Sequence, residues 1–302
     1  MAVPEICVIF NPAAGKHRGR RRLGQIRKTW GDRAKFRPTL HPGHATELAS
    51  QAAGEGFHIV VAAGGDGTAH EVLNGLMRAG KPDVQFAILP IGSANDYAYS
   101  LGLHEKNPPP VRRVDVGLAR RPDGSLVYFG CCLGVGFSGQ VTREARRIRR
   151  LQGVFLYGLA TLRALAEHYE TPSITVNIDE EPAQSTATLM FTALVGKREG
   201  GFVLAPNAEV DDGWLDFVHV GALSRWEVVK FLPRLAMFGP PANHAQVRQG
   251  RCRRVRLHSE KPLIAHADGE LFCLPEHGVQ DLEIELLPGA LRVVPFPDEA
   301  PG

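Results

Sequence analysis

Residues 58–76 (HIVVAAGGDGTAHEVLNGL) combine residue types that suit phosphate binding. The uninterrupted apolar run 59–63 predicts a strand that is covered on both faces, and the glycine-rich segment 64–67 ends it. Glycines let a backbone approach an anion closely, and the amide groups at a helix N-terminus attract negative charge. A strand, a glycine turn and a helix therefore predict an anion site here, although a plain tight turn has the same pattern.

The helix after this turn is predicted from its apolar spacing and its first residues. Apolar side chains at positions 72, 73, 76 and 77 fall on one helical stripe. Thr68 and Glu71 fit a capping box, in which each side chain binds a backbone amide of the first turn. The pattern predicts that the helix begins directly after the glycines.

Asp66 is unexpected at an anion site because a carboxylate repels a phosphate. Two arrangements remove the conflict. A cation such as Mg²⁺ lies between the two groups, or the carboxylate handles a proton. Asp66 is therefore a candidate for both metal binding and catalysis.

The first half of the chain alternates strand and helix patterns. Strand–turn–helix units in succession predict a parallel sheet with right-handed crossovers. The predicted strands cover residues 6–10, 36–40, 59–63 and 84–89, and the predicted helices cover residues 45–53 and 97–101.

Polar turns follow three of these strands. Asn11 and Lys16 come after the first strand and Asp66 after the third. Ser93 and Asn95 come after the fourth, where either can cap the next helix. Because ligands of such sheets bind beyond the carboxyl ends of the strands, we expect these turns to form one site.

The pattern changes after the proline-rich segment 106–110 (KNPPP). Asp-Gly pairs at positions 123, 212 and 268 lie between β-type runs and predict hairpins, and residues 141–169 predict one long helix. We expect an α/β domain over residues 1–125 and a β-rich domain over residues 126–287. The apolar segment 291–294 leaves open a return of residues 288–302 to the first domain.

Composition limits the classes of protein. The 302 residues carry a net charge of +3, which is too small to imply a nucleic-acid partner. Five cysteines without a CxxC pair argue against a disulfide framework and favour a reducing compartment. No segment resembles a membrane span or a signal peptide, so we expect a cytoplasmic protein.

Two acidic groups in the second half are candidate sites. His266, Asp268 and Glu270 alternate, so they share a face if they lie on one strand, but an Asp-Gly hairpin tip explains them equally well. Asp211, Asp212 and Asp216 form the second group, around the pair Asp212–Gly213. Their oxygens suit Mg²⁺ or Ca²⁺, and a plain loop is an equal alternative.

Two other segments have weaker patterns. Residues 134–139 (GVGFSG) match a dinucleotide-binding glycine pattern but lie outside the first βαβ unit, which favours a simple turn. The predicted long helix is arginine-rich over residues 143–150 and apolar over residues 154–159. Core packing is favoured for the apolar part, and contact with an anionic membrane surface is the alternative.

Six segments occur in the order typical of one kinase family. Together they resemble the lipid kinases of the diacylglycerol and sphingosine kinase family, especially its compact bacterial branch. The resemblance implies an α/β nucleotide-binding domain with a parallel sheet, as in NAD kinases and phosphofructokinases, a β-sandwich that holds the lipid, and ATP in the cleft between them. The segments are NPAAGK (11–16), GGDGT (64–68), LPIGSAND (89–96), VDVG (114–117), APNAEVDDGWLDF (205–217) and HADGE (266–270).

The resemblance also implies roles for individual residues. Glu270 matches the family's general base, Asp66 would hold Mg²⁺ and the phosphates, and Asp115 would be a supporting carboxylate. Asp212 and Asp216 would belong to a structural Mg²⁺ site. The residues implied to bind the nucleotide are Asn11, Gly15, Lys16, Gly64, Gly65, Asp66, Gly67, Thr68, Ser93, Asn95 and Asp96.

Two positions depart from the family pattern. Tyr99 stands where the family often has arginine, which removes one basic group from the implied nucleotide site. Ser93 replaces the usual threonine, a smaller change because either hydroxyl can cap a helix.

The implied activity is transfer of the γ-phosphate of ATP, with Mg²⁺, to the hydroxyl of a lipid alcohol such as diacylglycerol. The partners would be ATP and a lipid at a membrane surface, with peripheral attachment to the inner membrane face and a homodimer left open. Two alternatives stay open: a kinase of a soluble substrate such as NAD, and a nucleotide-binding regulator without catalysis.

Overall fold

The computed structural model describes residues 5–14, 16–92, 94–105, 109–148 and 151–296, without the side chains of residues 16–20 and 22. The chain forms two compact units. One contains the residues up to Val114 and those from Gly289 onward, and the other runs from Asp115 to Pro288. The division at Val114 lies inside a strand, so neither a turn nor a change in composition marks it, and the boundary at residue 125 stays a prediction.

The first unit alternates strands and helices along the chain. A single turn of 3₁₀ helix, Gly31–Arg33, joins α1 to β2. The elements are β1 (Ile6–Phe10), α1 (Lys16–Trp30), β2 (Ala34–Pro38), α2 (His44–Glu55), β3 (Ile59–Gly64), α3 (Asp66–Ala79), β4 (Gln85–Pro90) and α4 (Asp96–Ser100).

The strands of this unit form a parallel sheet, as the sequence predicts. β1 lies between β2 and β3, and β4 pairs with the other edge of β3. Arg292 and Val293, near the end of the chain, pair in parallel with Gln85 and Phe86. The strands carry apolar runs because helices cover the sheet. In the same core, Trp30 of α1 stacks on Phe296 with ring centroids 5.7 Å apart.

The predicted capping box of α3 is wrong. The helix begins at Asp66 with Gly65 as its N-cap, and no side chain caps it. Thr68 therefore lies inside the first turn. Glu71 caps a different helix, because its carboxylate accepts the amide hydrogens of Gly43 at 2.8 Å and Ala45 at 3.0 Å, at the start of α2.

Gly75 of α3 lies where α3 packs closely against α2. A Cβ atom added there would lie 2.3 Å from the Thr46 carbonyl oxygen and 2.7 Å from Ala49 Cβ. Gly75→Ala is expected to lower the free energy of unfolding by about 1–3 kcal/mol, because overpacking outweighs the gain in helix propensity. Gly54→Ala in α2 is the control, since no atom lies within 4 Å of the added Cβ. Denaturant titration measures both variants, and equal stability would contradict the close packing.

The second unit contains most of the strands. It also contains a turn of 3₁₀ helix, Pro275–His277. The elements, of which the first and the last cross the unit boundary, are β5 (Arg112–Arg120), β6 (Leu126–Phe129), β7 (Cys132–Gly136), α5 (Phe137–Ala145), α6 (Gly153–Glu167), β8 (Ser173–Ile178), β9 (Gln184–Leu194), β10 (Arg198–Glu199), β11 (Phe202–Val203), β12 (Leu215–Gly221), α7 (Arg225–Leu235), β13 (Val247–Cys252), β14 (Arg254–Ser259), β15 (Ala265–Ala267), β16 (Glu270–Cys273) and β17 (Asp281–Val293).

Two runs of strands share the long strand β9. Its second half lies between β7 and β12, and these continue to β15 and β16 on one side and to β13 on the other. Its first half pairs with β8, which leads through β14 to β17, β5 and β6. The β-rich second domain is thus an antiparallel sandwich-like unit with α5, α6 and α7.

Two sequence predictions for this unit are wrong. The helix predicted over residues 141–169 is interrupted: α5 ends at Ala145 and α6 begins at Gly153, a glycine with a positive φ of 58°. The Asp212–Gly213 pair does not form a hairpin, because it leads into β12, whose partners are β9 and β13. The Asp-Gly pairs at positions 123 and 268 do form hairpin turns.

Among the described residues, none of the helices is both long enough and apolar enough to cross a lipid bilayer.

Candidate functional site

The polar turns of the first unit follow neighbouring parallel strands. Asn11 donates its amide hydrogen to the Ala63 carbonyl at 3.2 Å, and Ile91 donates to the Gly64 carbonyl at 3.0 Å. These bonds tie the turn after β1 and the turn after β4 to the end of β3. The three turns predicted to form one site therefore do meet at one edge of the sheet.

Asp66 holds the turn after β4 through its carboxylate. One oxygen accepts the amide hydrogen of Asn95 at 2.8 Å and the other that of Tyr97 at 3.3 Å. Asn95 has a left-handed backbone with φ of 53°, and its side-chain amide exchanges two 3.1 Å hydrogen bonds with the backbone of Gly92. Asn95 is the N-cap of α4, but it binds the preceding turn and does not cap the helix with its side chain.

Glycines allow two of these turns to touch. A Cβ atom on Gly92 would lie 2.4 Å from the Gly65 Cα atom, and one on Gly64 would lie 2.2 Å from the Thr68 hydroxyl oxygen. A larger residue at position 92 would force the turns after β3 and β4 apart, and one at position 64 would displace Thr68. The first amides of a helix have no partner within the helix, so helix N-termini are common anion sites, and this turn leads into the N-terminus of α3.

The other residues implied to bind the nucleotide have different outcomes. Gly67 and Thr68 lie in the first turn of α3, Asp96 begins α4 with its side chain buried, and Asn11 accepts the Ala13 amide hydrogen at 2.8 Å. Lys16 begins α1. Gly15, Ser93 and the side chain of Lys16 lie outside the described residues.

Tyr99, which replaces the family's arginine, stacks on His104 with ring centroids 4.5 Å apart and an interplanar angle of 11°. The ring therefore has an aromatic partner in the first unit.

Glu270 is the first residue of β16, directly after the Asp268–Gly269 turn. Its carboxylate is half-exposed and forms an ion pair with Arg146, which also donates a hydrogen bond of 3.4 Å to the Gly269 carbonyl. An accessible carboxylate of this kind can accept a proton from a bound ligand.

Asp268 has a structural role. Its carboxylate accepts the amide hydrogens of Gly130, Cys131 and Cys132 at 2.8–2.9 Å. Asp268 has a left-handed backbone with φ of 50°, so the strand alternation that would give it a shared face with His266 and Glu270 is interrupted. The hairpin-tip interpretation is the correct one.

An arginine lies against the acidic group around position 212. Arg251 contacts Asp212 at 3.1 Å and Asp216 at 3.7 Å, while Asp115 accepts the Gly213 amide hydrogen at 2.8 Å. Burial raises the pKa of Asp216, Arg251 opposes this rise and Asp212 adds to it. Among the described residues, these carboxylates do not converge as a set of three metal ligands. A cation at Asp212 and Asp216 would have to displace the guanidinium, and the predicted metal site there stays a prediction.

The second unit contains an apolar pocket of about 810 Å³, its open mouth included. Its walls come from α5, α6 and α7 on one side and from β9 and β12 on the other. Leu189, Val218 and Phe231 are typical lining residues. Tyr157 of α6 also lines it, and the position of a Cβ atom on Gly269 lies 3.4 Å from the Tyr157 hydroxyl oxygen. The pocket wall therefore reaches the turn that carries Glu270.

Glu199 is the one charged residue in the described lining of this pocket. Burial raises the pKa of its carboxyl group, but hydrogen bonds from His266, Ser138 and Thr192 outweigh burial and hold the pKa below its usual range. The pocket thus has one ionised group in a described lining that is otherwise uncharged and mostly apolar.

Sequence reasoning missed Glu199, Tyr157 and Arg251 as members of these sites. Each one meets its partners through contacts distant in the sequence; Glu199 and His266, for example, are 67 positions apart. No local motif marks such residues, and only the fold brings them together.

Two models of known protein families match consecutive parts of the chain. Residues 5–123 match the model of the diacylglycerol kinase catalytic domain, and residues 131–295 match that of the YegS C-terminal NAD kinase beta sandwich-like domain. A diacylglycerol kinase of Mycobacterium tuberculosis is 30% identical over 261 residues, which cover 83% of this chain and 81% of the relative. That of Bacillus subtilis is 26% identical, covering 87% and 88%.

Solved structures agree on the fold. The crystal structure of a diacylglycerol kinase from Bacillus anthracis superposes on this chain with a TM-score of 0.70 at 19% identity. The match covers 99% of this chain and 100% of the other chain. From the two family models and these relatives, the chain belongs to the family of bacterial diacylglycerol kinases and YegS-like lipid kinases.

Proposed function

We propose that this lipid kinase transfers the γ-phosphate of ATP to the hydroxyl of a lipid alcohol, with diacylglycerol as the first candidate acceptor. The observation that carries the proposal is the apolar pocket whose wall reaches the Glu270 turn. An apolar chain in this pocket loses contact with water, which favours binding in proportion to the area buried. A hydroxyl at the polar end of such a chain would then lie near the carboxylate.

Glu270 acts in the proposed reaction as the general base. It accepts the proton of the lipid hydroxyl while the hydroxyl oxygen attacks the γ-phosphorus and the bond to ADP breaks. The ion pair with Arg146 orients the carboxylate before the acceptor binds.

The first unit supplies the proposed nucleotide groups. The glycine turn before α3 offers backbone amides to the phosphates, and Asn11 and Asn95 flank it. Asp66, which accepts the amide hydrogens of Asn95 and Tyr97, is the carboxylate of this turn that would hold Mg²⁺ or a water bound to it. Mg²⁺, when bound with ATP, neutralises negative charge on the phosphates.

An anionic membrane surface is the proposed source of the lipid. Exposed apolar side chains lie on α6 and on or just after α7, the helices that also line the pocket, and exposed Arg146 and Arg147 follow α5. Cations beside apolar groups suit headgroups and acyl chains together. The exposed apolar residues are Val154, Phe155, Leu162, Trp226, Met237 and Phe238.

Phe155→Ser is expected to weaken binding to vesicles that contain phosphatidylserine by about tenfold, since burial of a Phe side chain contributes about 1.5–3 kcal/mol. Phe155 is 81% exposed, so its removal leaves the core intact. Leu40→Ser is the matched control, because Leu40 is 78% exposed and lies in the first unit. Co-sedimentation measures both variants, and an equal loss of binding, or none, would contradict this membrane surface.

The acceptor is tested with γ-labelled ATP and a panel of acceptors: diacylglycerol, a sphingoid base, phosphatidylglycerol and NAD. Label in a lipid alcohol supports the proposal and names the acceptor class. Label in NAD would overturn the lipid acceptor and favour the soluble-substrate kinase. ATP binding by calorimetry without transfer to any acceptor would favour the regulator.

A further inference from the structure

His266 lies between the apolar pocket and the turn that carries Glu270. It is 1% exposed and belongs to β15, directly before the Asp268–Gly269 turn. Its Nε2 atom lies 2.7 Å from the Ser138 hydroxyl oxygen and 3.0 Å from Glu199 Oε1. Ser138 and Glu199 both line the pocket, so His266 connects the pocket wall to the hairpin.

The other ring nitrogen holds the turn. Gly269 donates its amide hydrogen to His266 Nδ1 at 3.2 Å. A backbone N–H can only donate, so Nδ1 carries a lone pair and the ring proton sits on Nε2. This proton points at the ionised Glu199. The contact with Glu199 therefore stabilises the tautomer in which Nδ1 can accept the Gly269 amide hydrogen.

This arrangement is not that of a Ser–His–acid hydrolase. In such an enzyme the acid binds Nδ1, and Nε2 accepts the serine proton. Here the acid and the serine both face Nε2, and Nδ1 accepts from the backbone. Ser138 donates its hydroxyl hydrogen to Glu199 and not to the histidine, so the cluster has a holding role instead.

The glycine-rich segment 134–139 makes room for the cluster. A Cβ atom on Gly134 would lie 2.1 Å from the Ser138 hydroxyl oxygen and 2.6 Å from His266 Nε2. A Cβ atom on Gly139 would lie 2.9 Å from the backbone of Ile264, in the chain leading into β15. These glycines therefore serve the packing of β7 and α5 against the His266 strand.

We propose that His266 is a positioning residue that orients Glu270: its Nδ1 atom holds Gly269, while Ser138 and Glu199 hold the ring. The proposal rests on the proposed function, because it assumes that Glu270 is the base. Hydrogen bonds hold the turn on both sides, through Asp268 on one side and His266 on the other. The backbone of Glu270, the first residue of β16, is therefore held in one orientation. Misplacement of a reacting group by about 1 Å costs about 10²-fold in rate, so a residue that positions Glu270 has a large effect on kcat.

Two amide variants of His266 test the contacts of its two ring nitrogens separately. His266→Asn places a carbonyl oxygen near the Nδ1 position, where it can accept from Gly269, but loses the contacts with Ser138 and Glu199. His266→Gln reaches Ser138 and Glu199 and leaves Gly269 without its acceptor. We expect kcat about tenfold or more below wild type for His266→Gln and within about threefold for His266→Asn, with KM for ATP unchanged in both.

Stability and amide exchange make the test specific. If the role of His266 is purely structural, the variant with the lower melting temperature should also have the lower kcat. The proposal predicts instead that His266→Gln has a lower kcat than His266→Asn, although its melting temperature is equal or higher. Hydrogen exchange at Gly269 and Glu270 is expected to be faster in His266→Gln than in His266→Asn. Equal exchange, or kcat that follows stability, would overturn the positioning role.

The exchange measurement also separates this proposal from the proposed function. One outcome is that the wild-type protein phosphorylates no lipid while the exchange difference between the variants is found. The proposed lipid kinase activity is then wrong, but His266 does hold the turn. If the wild type is active and exchange is equal in the two variants, the positioning role fails and the kinase assignment stands.

Discussion

Glu270→Gln is expected to lower kcat for lipid phosphorylation by about 10²-fold or more, because the amide cannot take the proton of the attacking hydroxyl. The KM for ATP should change little, since Glu270 belongs to the second unit and the proposed nucleotide groups belong to the first. The melting temperature should also change little. The side chain is 45% exposed, and an exposed ion pair such as that with Arg146 contributes about 0–1 kcal/mol.

Glu276→Gln is the matched control for this variant. Glu276 is exposed in the 3₁₀ helix after β16, so the substitution makes the same change of charge in the same unit. Its kcat should equal that of the wild type. If Glu270→Gln keeps wild-type turnover, Glu270 is not the base, and the role of the hairpin in the reaction is lost with it.

Asp66→Asn is expected to lower kcat by about 10²-fold or more, because the negative charge that would hold Mg²⁺ beside the phosphates is removed. This variant should also lose stability, unlike Glu270→Gln. Both carboxylate oxygens accept backbone amide hydrogens, and hydrogen bonds to a charged group contribute about 1.5–3 kcal/mol. Loss of activity together with a moderate fall in melting temperature is therefore the expected pair of results.

Asp83→Asn is the control for this second variant, since Asp83 is exposed after α3 in the same unit. Turnover is measured at a temperature well below the melting temperature of both variants, so that unfolding does not contribute. Wild-type turnover in Asp66→Asn would restrict Asp66 to its structural bonds with Asn95 and Tyr97.

The architecture of the first unit was predictable because its signals are local. Apolar runs such as residues 59–63 mark buried parallel strands, and the glycines after them mark turns where no Cβ fits. Parallel strands have their carboxyl ends at one edge, so the meeting of the three turns followed from the fold class alone.

The second unit was less predictable because its determinants are distant in the sequence. The helix pattern over residues 141–169 continues through a break that depends on local backbone geometry at Gly153. Asp268 looked like a candidate ligand, but its partners are amides 136–138 positions away. Likewise, nothing near Glu71 in the sequence indicates that it caps α2 rather than its own helix.

The central claim is tested most directly by incubating the protein with γ-labelled ATP, Mg²⁺ and diacylglycerol in mixed micelles, with Glu270→Gln and Glu276→Gln measured in parallel. The account predicts labelled phosphatidic acid from the wild type and from Glu276→Gln, and about 10²-fold less from Glu270→Gln. Equal labelling in all three proteins, or label only in added NAD, would contradict it.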